Sequence, residues 1–273
     1  MPAATYRLAG LTVRHLVGSR APALHALDLT IAAGEQVALI GPSGAGKTTL
    51  LSTLACAHRP AEGSLELFGQ DPWRLKQAER HRLRARLFLA PQAPPLPPRQ
   101  RVVTAVLAAR LPHWSLWQSI ASLARPSDPQ AAFTALSRFG LGDKLYARVD
   151  RLSGGERQRC GLARLLLSSA EALLVDEPIS ALDPALARHT LAALRQEAQA
   201  RNATLVCSLH QVDLAREQFA RLIGLRDGRI VFDLPREQVS DAMIAALYAN
   251  EKVQPHPNEP HDTPDQIAVG ACF

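Results

Sequence analysis

The chain has 273 residues, enough for one large domain or for a domain that carries a subdomain. Apolar residues make up 47% and charged residues 21%, values near the globular average that exclude a fibrous or largely disordered chain. The formal net charge of +6 is compatible with an anionic partner such as nucleic acid, lipid or polyphosphate, and equally with a composition that is simply rich in arginine.

The four cysteines have no metal-ligand spacing and no disulfide framework, so free thiols in a reducing compartment are expected at Cys56, Cys160, Cys207 and Cys272. The N-terminus lacks the pattern of a secretory signal, and no run of 18 apolar residues occurs. We therefore expect a soluble chain that would reach a membrane only through a partner.

The first 70 residues predict short strands around one helix. Leu11–Arg14 and Leu27–Ile31 alternate apolar and polar residues, as half-buried antiparallel strands do. Gln36–Ile40 is a continuous apolar run, typical of a strand covered on both faces. A glycine-rich loop follows, then a helix over Thr48–Ala57 and another alternating strand over Ser64–Phe68.

The middle of the chain changes character. Residues 74–101 are rich in arginine. The pattern there predicts a solvated helical face that carries Arg80, Arg82, Arg84 and Arg86. The alternative is that these arginines line a contact surface for a partner. The prolines of 91–98 exclude a helix and favour a stiff connector over a polyproline partner site. Residues 102–148 are predicted helical, with breaks near Pro112, Pro126 and Gly140.

The last hundred residues alternate between helices and strands. Helices are predicted over 156–168, 184–200 and 211–220, and strands over 172–175, 204–208, 222–225 and 229–232. This alternation predicts a mostly parallel sheet with helices on both faces, interrupted by a helical insert over about 93–150. The tail from Glu251 is predicted to be disordered, with His256 and His261 solvated rather than bound to a metal.

The glycine-rich loop predicts a phosphate site. Gly41–Thr48 fits G-x-x-x-x-G-K-[ST] and lies between a predicted strand and a predicted helix. Gly44 and Gly46 let backbone N–H groups point inward, where they and the helix N-terminus attract an anion. Lys47 would place its charge against the β- and γ-phosphates, and Thr48 would offer a hydroxyl to Mg²⁺.

Two further segments carry groups suited to the same chemistry. The apolar strand before Pro178 ends in Asp176 and Glu177, which could support Mg²⁺ and an attacking water, or could be two solvated acids. Arg151–Glu156 places two glycines before a helical pattern, which predicts either a second anion-binding helix N-terminus or a simple turn with an N-cap.

Together these motifs resemble the ATP-binding subunits of ABC transporters, over about residues 8–245. Gly41–Thr48 resembles the Walker A loop, and Leu173–Glu177 resembles Walker B with its catalytic glutamate. The remaining family motifs, in family order, are the Q-loop glutamine Gln92, the signature Leu152–Glu156, the D-loop Ser180–Asp183 and the switch histidine His210. The phosphonate-importer branch is resembled by three segments, Leu107–Trp117, Ser208–Ala215 and Ile223–Asp233.

The chain departs from the family pattern at a few positions. Where an aromatic residue usually stacks on adenine, the sequence places His15, with Tyr6 a less favoured substitute. Extra prolines surround Gln92 and leave the shape of its loop open. Cys160 and Gly161 replace more usual apolar residues, which should affect packing rather than chemistry.

The resemblance implies an α/β fold: a RecA-like P-loop core with a mostly parallel sheet, an N-terminal antiparallel β subdomain and a helical insert. The division expected is 1–92 for the antiparallel strands and the first part of the core, and 93–150 for the helical subdomain. Residues 151–250 would complete the core and 251–273 would form the tail.

The resemblance also implies hydrolysis of ATP with Mg²⁺. The expected catalytic residues are Glu177, His210 and Gln92, and the expected metal-binding residues are Thr48, Gln92 and Asp176. The expected nucleotide contacts are His15, Gly41, Pro42, Ser43, Gly44, Ala45, Gly46, Lys47, Thr48, Thr49, Ser153, Gly154, Gly155 and Asp183.

The implied assembly is a homodimer with two shared ATP sites, bound to membrane permease subunits on the cytoplasmic face and served by a solute-binding protein. The expected cargo is phosphonate or a related phosphorus anion. Alternatives are an importer of another small solute, an ABC-type ATPase acting on nucleic acid, or a scaffold that senses ATP without turnover. Nucleic acid is not expected as a partner, because the sequence lacks zinc-binding cysteines, long heptad segments and a second cassette. A GTPase is disfavoured because no N-K-x-D motif for recognising the base follows the glycine-rich loop.

Overall fold

The computed structural model describes residues 4–14, 22–124 and 126–249. The strands are β1 Ala4–Val13, β2 Leu24–Ala32, β3 Gln36–Ile40, β4 Glu62–Leu67, β5 Leu87–Ala90, β6 Ala172–Asp176, β7 Thr204–Ser208, β8 Arg221–Arg226 and β9 Arg229–Pro235. The α-helices are α1 Lys47–Leu54, α2 Gln77–Arg84, α3 Val102–Leu107, α4 Leu116–Ala124, α5 Pro129–Ser137, α6 Gly154–Leu167, α7 Pro184–Ala200, α8 Val212–Gln218 and α9 Asp241–Tyr248.

A six-stranded sheet in the order β5-β6-β7-β3-β8-β9 forms the centre of the fold, and only β9 runs antiparallel to its neighbour. The carboxyl ends of β3, β5, β6 and β7 therefore lie along one edge. The segments that follow these four strands contain the phosphate loop, Gln92, Glu177 and His210, so the sheet order gathers the predicted chemistry at one place.

A second sheet, β2-β1-β4, is antiparallel and packs over one face of the first, with α1 between them. On β3, Val37 and Leu39 belong to this core cluster, whereas Ala38 and Ile40 belong to the cluster formed with the helices on the opposite face. All four are fully buried, which confirms the prediction of a strand covered on both faces.

Between β5 and β6 the chain is helical, with a 3₁₀ segment over Ala108–His113 that contains Pro112. The predicted break near Gly140 is also present, because this residue has a φ of 67° after α5 ends. A buried cluster that includes Val106, Leu136 and Leu162 joins these helices to α6. Within the described ranges, no helix is both long and apolar enough to cross a bilayer.

Several elements differ from the sequence predictions. β5 and α9 were not predicted; β5 has only four residues and is half-buried, so its apolar pattern is too short to be distinctive. Helix α1 ends at Leu54, before the predicted Ala57, because Cys56 lies in the left-handed region with a φ of 57°. The predicted tail, with His256 and His261, lies outside the described residues.

The predicted solvated arginine face is only partly correct. Arg82 and Arg84 are exposed. Arg80 lies 5.1 Å from the Trp73 ring and donates to the Pro72 carbonyl at 2.8 Å. Arg86 lies 3.7 Å over the Phe68 ring and forms a two-armed ion pair with Glu171, at 2.6 and 2.7 Å. Two of the four arginines are therefore half-buried and have partners within the fold.

Candidate active site

The phosphate loop joins β3 to α1 in a shape that requires glycine. Gly41 has a φ of 151°, and a Cβ there would lie 2.0 Å from the Leu225 carbonyl oxygen. Gly46 caps α1 with a φ of 102° and would place a Cβ 2.9 Å from Leu24. The loop therefore leads directly into a helix N-terminus, where backbone N–H groups are available to an anion.

Lys47 is buried at the base of this loop, with 5% of its surface exposed. Its ammonium donates to the carbonyls of Gly41 and Pro42, at 2.7 and 3.0 Å. These contacts hold the charge beside the loop, which reduces the ordering cost of binding a phosphate.

Thr48, Asp176 and Ser208 form a chain of hydrogen bonds across the sheet edge. Thr48 Oγ1 donates to Asp176 Oδ2 at 2.8 Å, and Ser208 Oγ donates to Asp176 Oδ1 at 2.6 Å. Asp176 is 5% exposed, so both of its carboxylate oxygens are held in place. Hydroxyl and carboxylate oxygens are ligands that suit Mg²⁺.

Glu177 lies at the centre of the predicted catalytic group. Gln92 Nε2 donates to its Oε2 at 2.7 Å, and His210 Nε2 is in hydrogen-bond contact with its Oε1. The three predicted catalytic residues thus lie together, with Gln92 and His210 each in contact with one carboxylate oxygen of Glu177. Glu177 has a φ of 47°, a left-handed conformation that costs a non-glycine residue roughly 1–3 kcal/mol and is typical of functional sites.

An open cleft of about 450 Å³ lies over these groups. Its lining includes residues 43–49 of the phosphate loop and α1, together with Gln92, Glu177 and His210. A site of this size, with amides on one side and a carboxylate on the other, fits a polyphosphate whose end must meet a water molecule.

The glycine turn before α6 stands apart from this cleft within the described part of the chain. Ser153 Oγ accepts from the Glu156 amide at 3.2 Å, and Glu156 Oε2 accepts from the Ser153 amide at 2.8 Å. The hydrogen bond from the Ser153 amide holds the pKa of Glu156 below its usual range; burial opposes this effect, and the charge of Lys144 adds to it. Ser153 and Gly154 are exposed, and a Cβ at Gly154 would meet nothing within 4 Å.

The other predicted nucleotide contacts lie outside the lining of this cleft or outside the described residues. Asp183 is exposed and caps α7, accepting from the amides of Ala185 and Leu186 at 3.1 and 3.0 Å. His15 lies outside the described residues. Tyr6 was wrong as a substitute, because it is fully buried between β2 and β4 and cannot stack on a ligand.

Three residues that the sequence analysis missed take part in this site. Ser208 ends β7 beside Asp176, a position that the adjacency of parallel strands could have indicated. Gln158, on α6, donates to the Glu177 carbonyl at 2.6 Å. Tyr248, at the end of α9, accepts from the Gly41 amide at 3.1 Å, and no local sequence signal pointed to it.

Comparison with known proteins identifies the family. The ABC transporter family matches residues 24–180, more than half of the chain. This chain belongs to the ABC transporter family. Phosphonates import ATP-binding protein PhnC 2 of Pseudomonas aeruginosa (strain UCBPP-PA14) is 56% identical over 265 residues, 97% of this chain and 98% of the relative. Phosphonates import ATP-binding protein PhnC of Polaromonas sp. is 58% identical over 245 residues, 89% and 88% of the two chains.

Solved structures agree with this membership of the ABC transporter family. A dimeric post-hydrolysis state of the ATP-binding cassette MJ0796, bound to ADP and Pi, superimposes with a TM-score of 0.73 at 25% identity. The match covers 85% of this chain and 98% of that one. A nucleotide-free cassette from an ABC transporter, at 20% identity and a TM-score of 0.70, shows the same fold. The expected fold, a RecA-like core with an antiparallel β sheet and a helical insert, is confirmed.

Proposed function

We propose that this chain hydrolyses ATP and thereby powers the import of phosphonate, or of a related phosphorus anion, through a membrane transporter. The observation that carries the hydrolytic part is the meeting of Gln92, Glu177 and His210 beside the phosphate loop. The cargo rests on the printed names of the relatives, which are phosphonate import proteins.

Nucleotide binding would use the phosphate loop. Its N–H groups, the N-terminus of α1 and the Lys47 ammonium would hold the β- and γ-phosphates. Thr48, Asp176 and Gln92 offer hydroxyl, carboxylate and amide oxygens, a set that fits Mg²⁺, with Asp176 acting through water. When bound, Mg²⁺ would neutralise charge that develops on the phosphate oxygens.

Catalysis would depend on one oriented water. Glu177 would polarise that water as it approaches the γ-phosphate, and the partners of its two carboxylate oxygens, Gln92 and His210, would fix its direction. His210 would also contact the γ-phosphate. In this scheme the phosphate loop positions the phosphates, and Glu177 with its two partners activates the attacking water.

A second copy of the chain would complete each site. Ser153 and Gly154 are exposed where the signature turn leads into α6, so the N–H groups of Gly154 and Gly155 could face an ATP bound to the Walker A loop of a partner. The solved structure of the ATP-binding cassette MJ0796, bound to ADP and Pi, is described as dimeric, which supports this arrangement. Asp183 would lie near the same junction, and His15 would contact adenine.

The dimer would act on the cytoplasmic face of a membrane, bound to permease subunits, while a solute-binding protein delivers the cargo. In this arrangement residues 93–150 form the helical subdomain and, with the Gln92 loop, transmit closure to the permease. The two parts of the core, 1–92 and 151–250, would move with the nucleotide.

The activity is tested by phosphate release from ATP with Mg²⁺. We expect Glu177→Gln to lower kcat by at least about 10²-fold while ATP still binds and dimers accumulate. Hydrolysis by this variant at the parent rate would contradict the assigned role. The cargo is tested by growth on phosphonate as sole phosphorus source: deletion of the chain should stop growth, with normal growth retained on phosphate.

A further inference from the structure

The backbone of Glu177 is clamped from two sides. Its N–H donates to Ser208 Oγ at 3.0 Å, and its carbonyl accepts from Gln158 Nε2 at 2.6 Å. A non-glycine residue persists in the left-handed region only when its surroundings fix it there. The two side chains come from β7 and α6, so the conformation of Glu177 depends on elements that are distant in the sequence.

Gln158 is an unusual residue for a packed position. It is 6% exposed, and its Oε1 has no hydrogen-bond partner among the described residues. Its amide nitrogen contacts Ser180 Oγ at 3.3 Å as well as the Glu177 carbonyl. An apolar side chain would leave no buried oxygen unsatisfied. A glutamine at this position is therefore explained by the hydrogen bonds that its amide N–H group donates rather than by packing.

One stripe of α6 contacts three functional segments. A Cβ on Gly155 would lie 3.2 Å from the carbonyl oxygen of Ala181, in the D-loop. A Cβ on Gly161 would lie 2.7 Å from Pro94, two residues after Gln92. Positions 155, 158 and 161 are three residues apart, so they lie along neighbouring turns of the helix. Gln158 occupies the middle of this stripe, between the signature turn and the Q-loop.

We infer that Gln158 is a positioning residue: it holds the Glu177 backbone so that the carboxylate faces the phosphate loop, and it ties that carboxylate to the signature helix. This inference rests on the proposed function. A displacement of α6, when Ser153–Gly155 meet the nucleotide of a second copy, reaches Glu177 through a single hydrogen bond. Occupancy of one shared site is thereby passed to the catalytic carboxylate of the other.

The test replaces Gln158 with leucine, which keeps the bulk and removes the donor, and with glutamate, which presents an oxygen to the carbonyl. We expect kcat for ATP hydrolysis to fall about 10- to 100-fold in both variants. In Gln158→Leu the ATP dissociation constant and the melting temperature should remain near the parent values, whereas Gln158→Glu buries a carboxylate and should also lower the melting temperature. In a Glu177→Gln background, Gln158→Leu should leave ATP-dependent dimer formation intact, since only the position of the side chain at 177 is affected.

Ser168→Ala is the matched control. Ser168 follows the last residue of the same helix, is 8% exposed and donates to the Leu165 carbonyl at 2.7 Å, so its loss removes a similar buried contact without touching Glu177 or the signature turn. We expect the kcat of the folded control to remain within about two-fold of the parent. A parent-like kcat in Gln158→Leu, or parallel losses of ATP affinity and melting temperature, would overturn the inference while the parent activity stands. An inactive parent chain would instead refute the proposed function and the inference with it.

Discussion

At the scale of single residues, the site depends on charges that contacts within the fold hold in place. Lys47 is held by two carbonyls, and Asp176 is held by two hydroxyls. Such preorganisation reduces the reorganisation needed when a phosphate binds or when charge develops during reaction. The strained backbone of Glu177 belongs to the same design, because its cost is sustained by contacts from elsewhere in the fold.

Replacing Lys47 with alanine should remove most of the affinity for ATP. A hydrogen bond to a charged group contributes about 1.5–3 kcal/mol, so we expect the dissociation constant to rise at least about 10-fold. Equilibrium binding of a fluorescent nucleotide measures this change. Asp213→Ala, on the first turn of α8 and outside the cleft lining, is the control and should bind normally. Parent-like affinity in Lys47→Ala would contradict the phosphate-loop assignment.

The buried cysteines should resist alkylation in the native protein. Burial raises the pKa of the Cys56 thiol to about 11 and that of Cys160 to about 12, and burial also raises the pKa of Cys207. At pH 8 these thiols stay protonated, and the thiolate is the reactive form. The Cys272→Ser variant removes the fourth thiol of the chain. With this variant, mass spectrometry should detect no iodoacetamide adducts on the native protein and three after denaturation. Rapid native labelling would contradict the packing around these residues.

At the scale of elements, the sheet order decides the site. Four loops meet because β3, β5, β6 and β7 end along one edge, although Gln92 and Glu177 are 85 residues apart in the chain. Helix α6 then connects the Q-loop, the D-loop and the signature turn through one of its faces. Contacts between elements thus assemble groups that have no local relation to one another.

Gly161→Ala should disturb the Q-loop through Pro94. The added methyl would lie 2.7 Å from the Pro94 Cβ, closer than two carbons can pack, so the proline and the nearby Gln92 must shift. The gain in helix propensity, about 1 kcal/mol, works against any loss of stability. We expect a several-fold lower kcat with a nearly unchanged melting temperature. The compensating Pro94→Gly change should restore kcat; failure of rescue would count against this route.

At the scale of the whole molecule, the signature turn is exposed and lies apart from the cleft that contains the phosphate loop. Under the proposed function a single copy would hold two halves of different sites, and two copies in head-to-tail contact would unite them. Such a contact is isologous, because each surface of one copy meets the other surface of its partner, and a two-fold axis therefore closes the assembly at two copies.

Ser153→Arg should separate nucleotide binding from turnover. The larger, charged side chain would block the approach of a second copy, so ATP binding to the monomer should persist while kcat falls at least about 10²-fold. In the Glu177→Gln background, light scattering should show no ATP-dependent dimer. Thr134→Arg, on the exposed face of α5, adds the same charge elsewhere and should dimerise normally. Unchanged turnover by Ser153→Arg would argue against a shared site.

The sequence by itself determined the parts that depend on contiguous residues. The spacing of Gly41–Thr48, the buried strand that ends in Asp176 and Glu177, and the cap of α6 at Ser153 are local patterns whose backbone geometry follows from nearby residues. These patterns were sufficient for the fold class and for the family.

Only the tertiary structure decided which distant residues support these motifs. Gln158 and Ser208 reach Glu177, and Tyr248 reaches Gly41 over 207 positions, because strand order and helix packing bring them together. Tyr6 was excluded from adenine contact by a burial that its own sequence neighbourhood did not reveal. Local spacing fixes backbone shape, whereas long-range contacts depend on how all the elements pack at once.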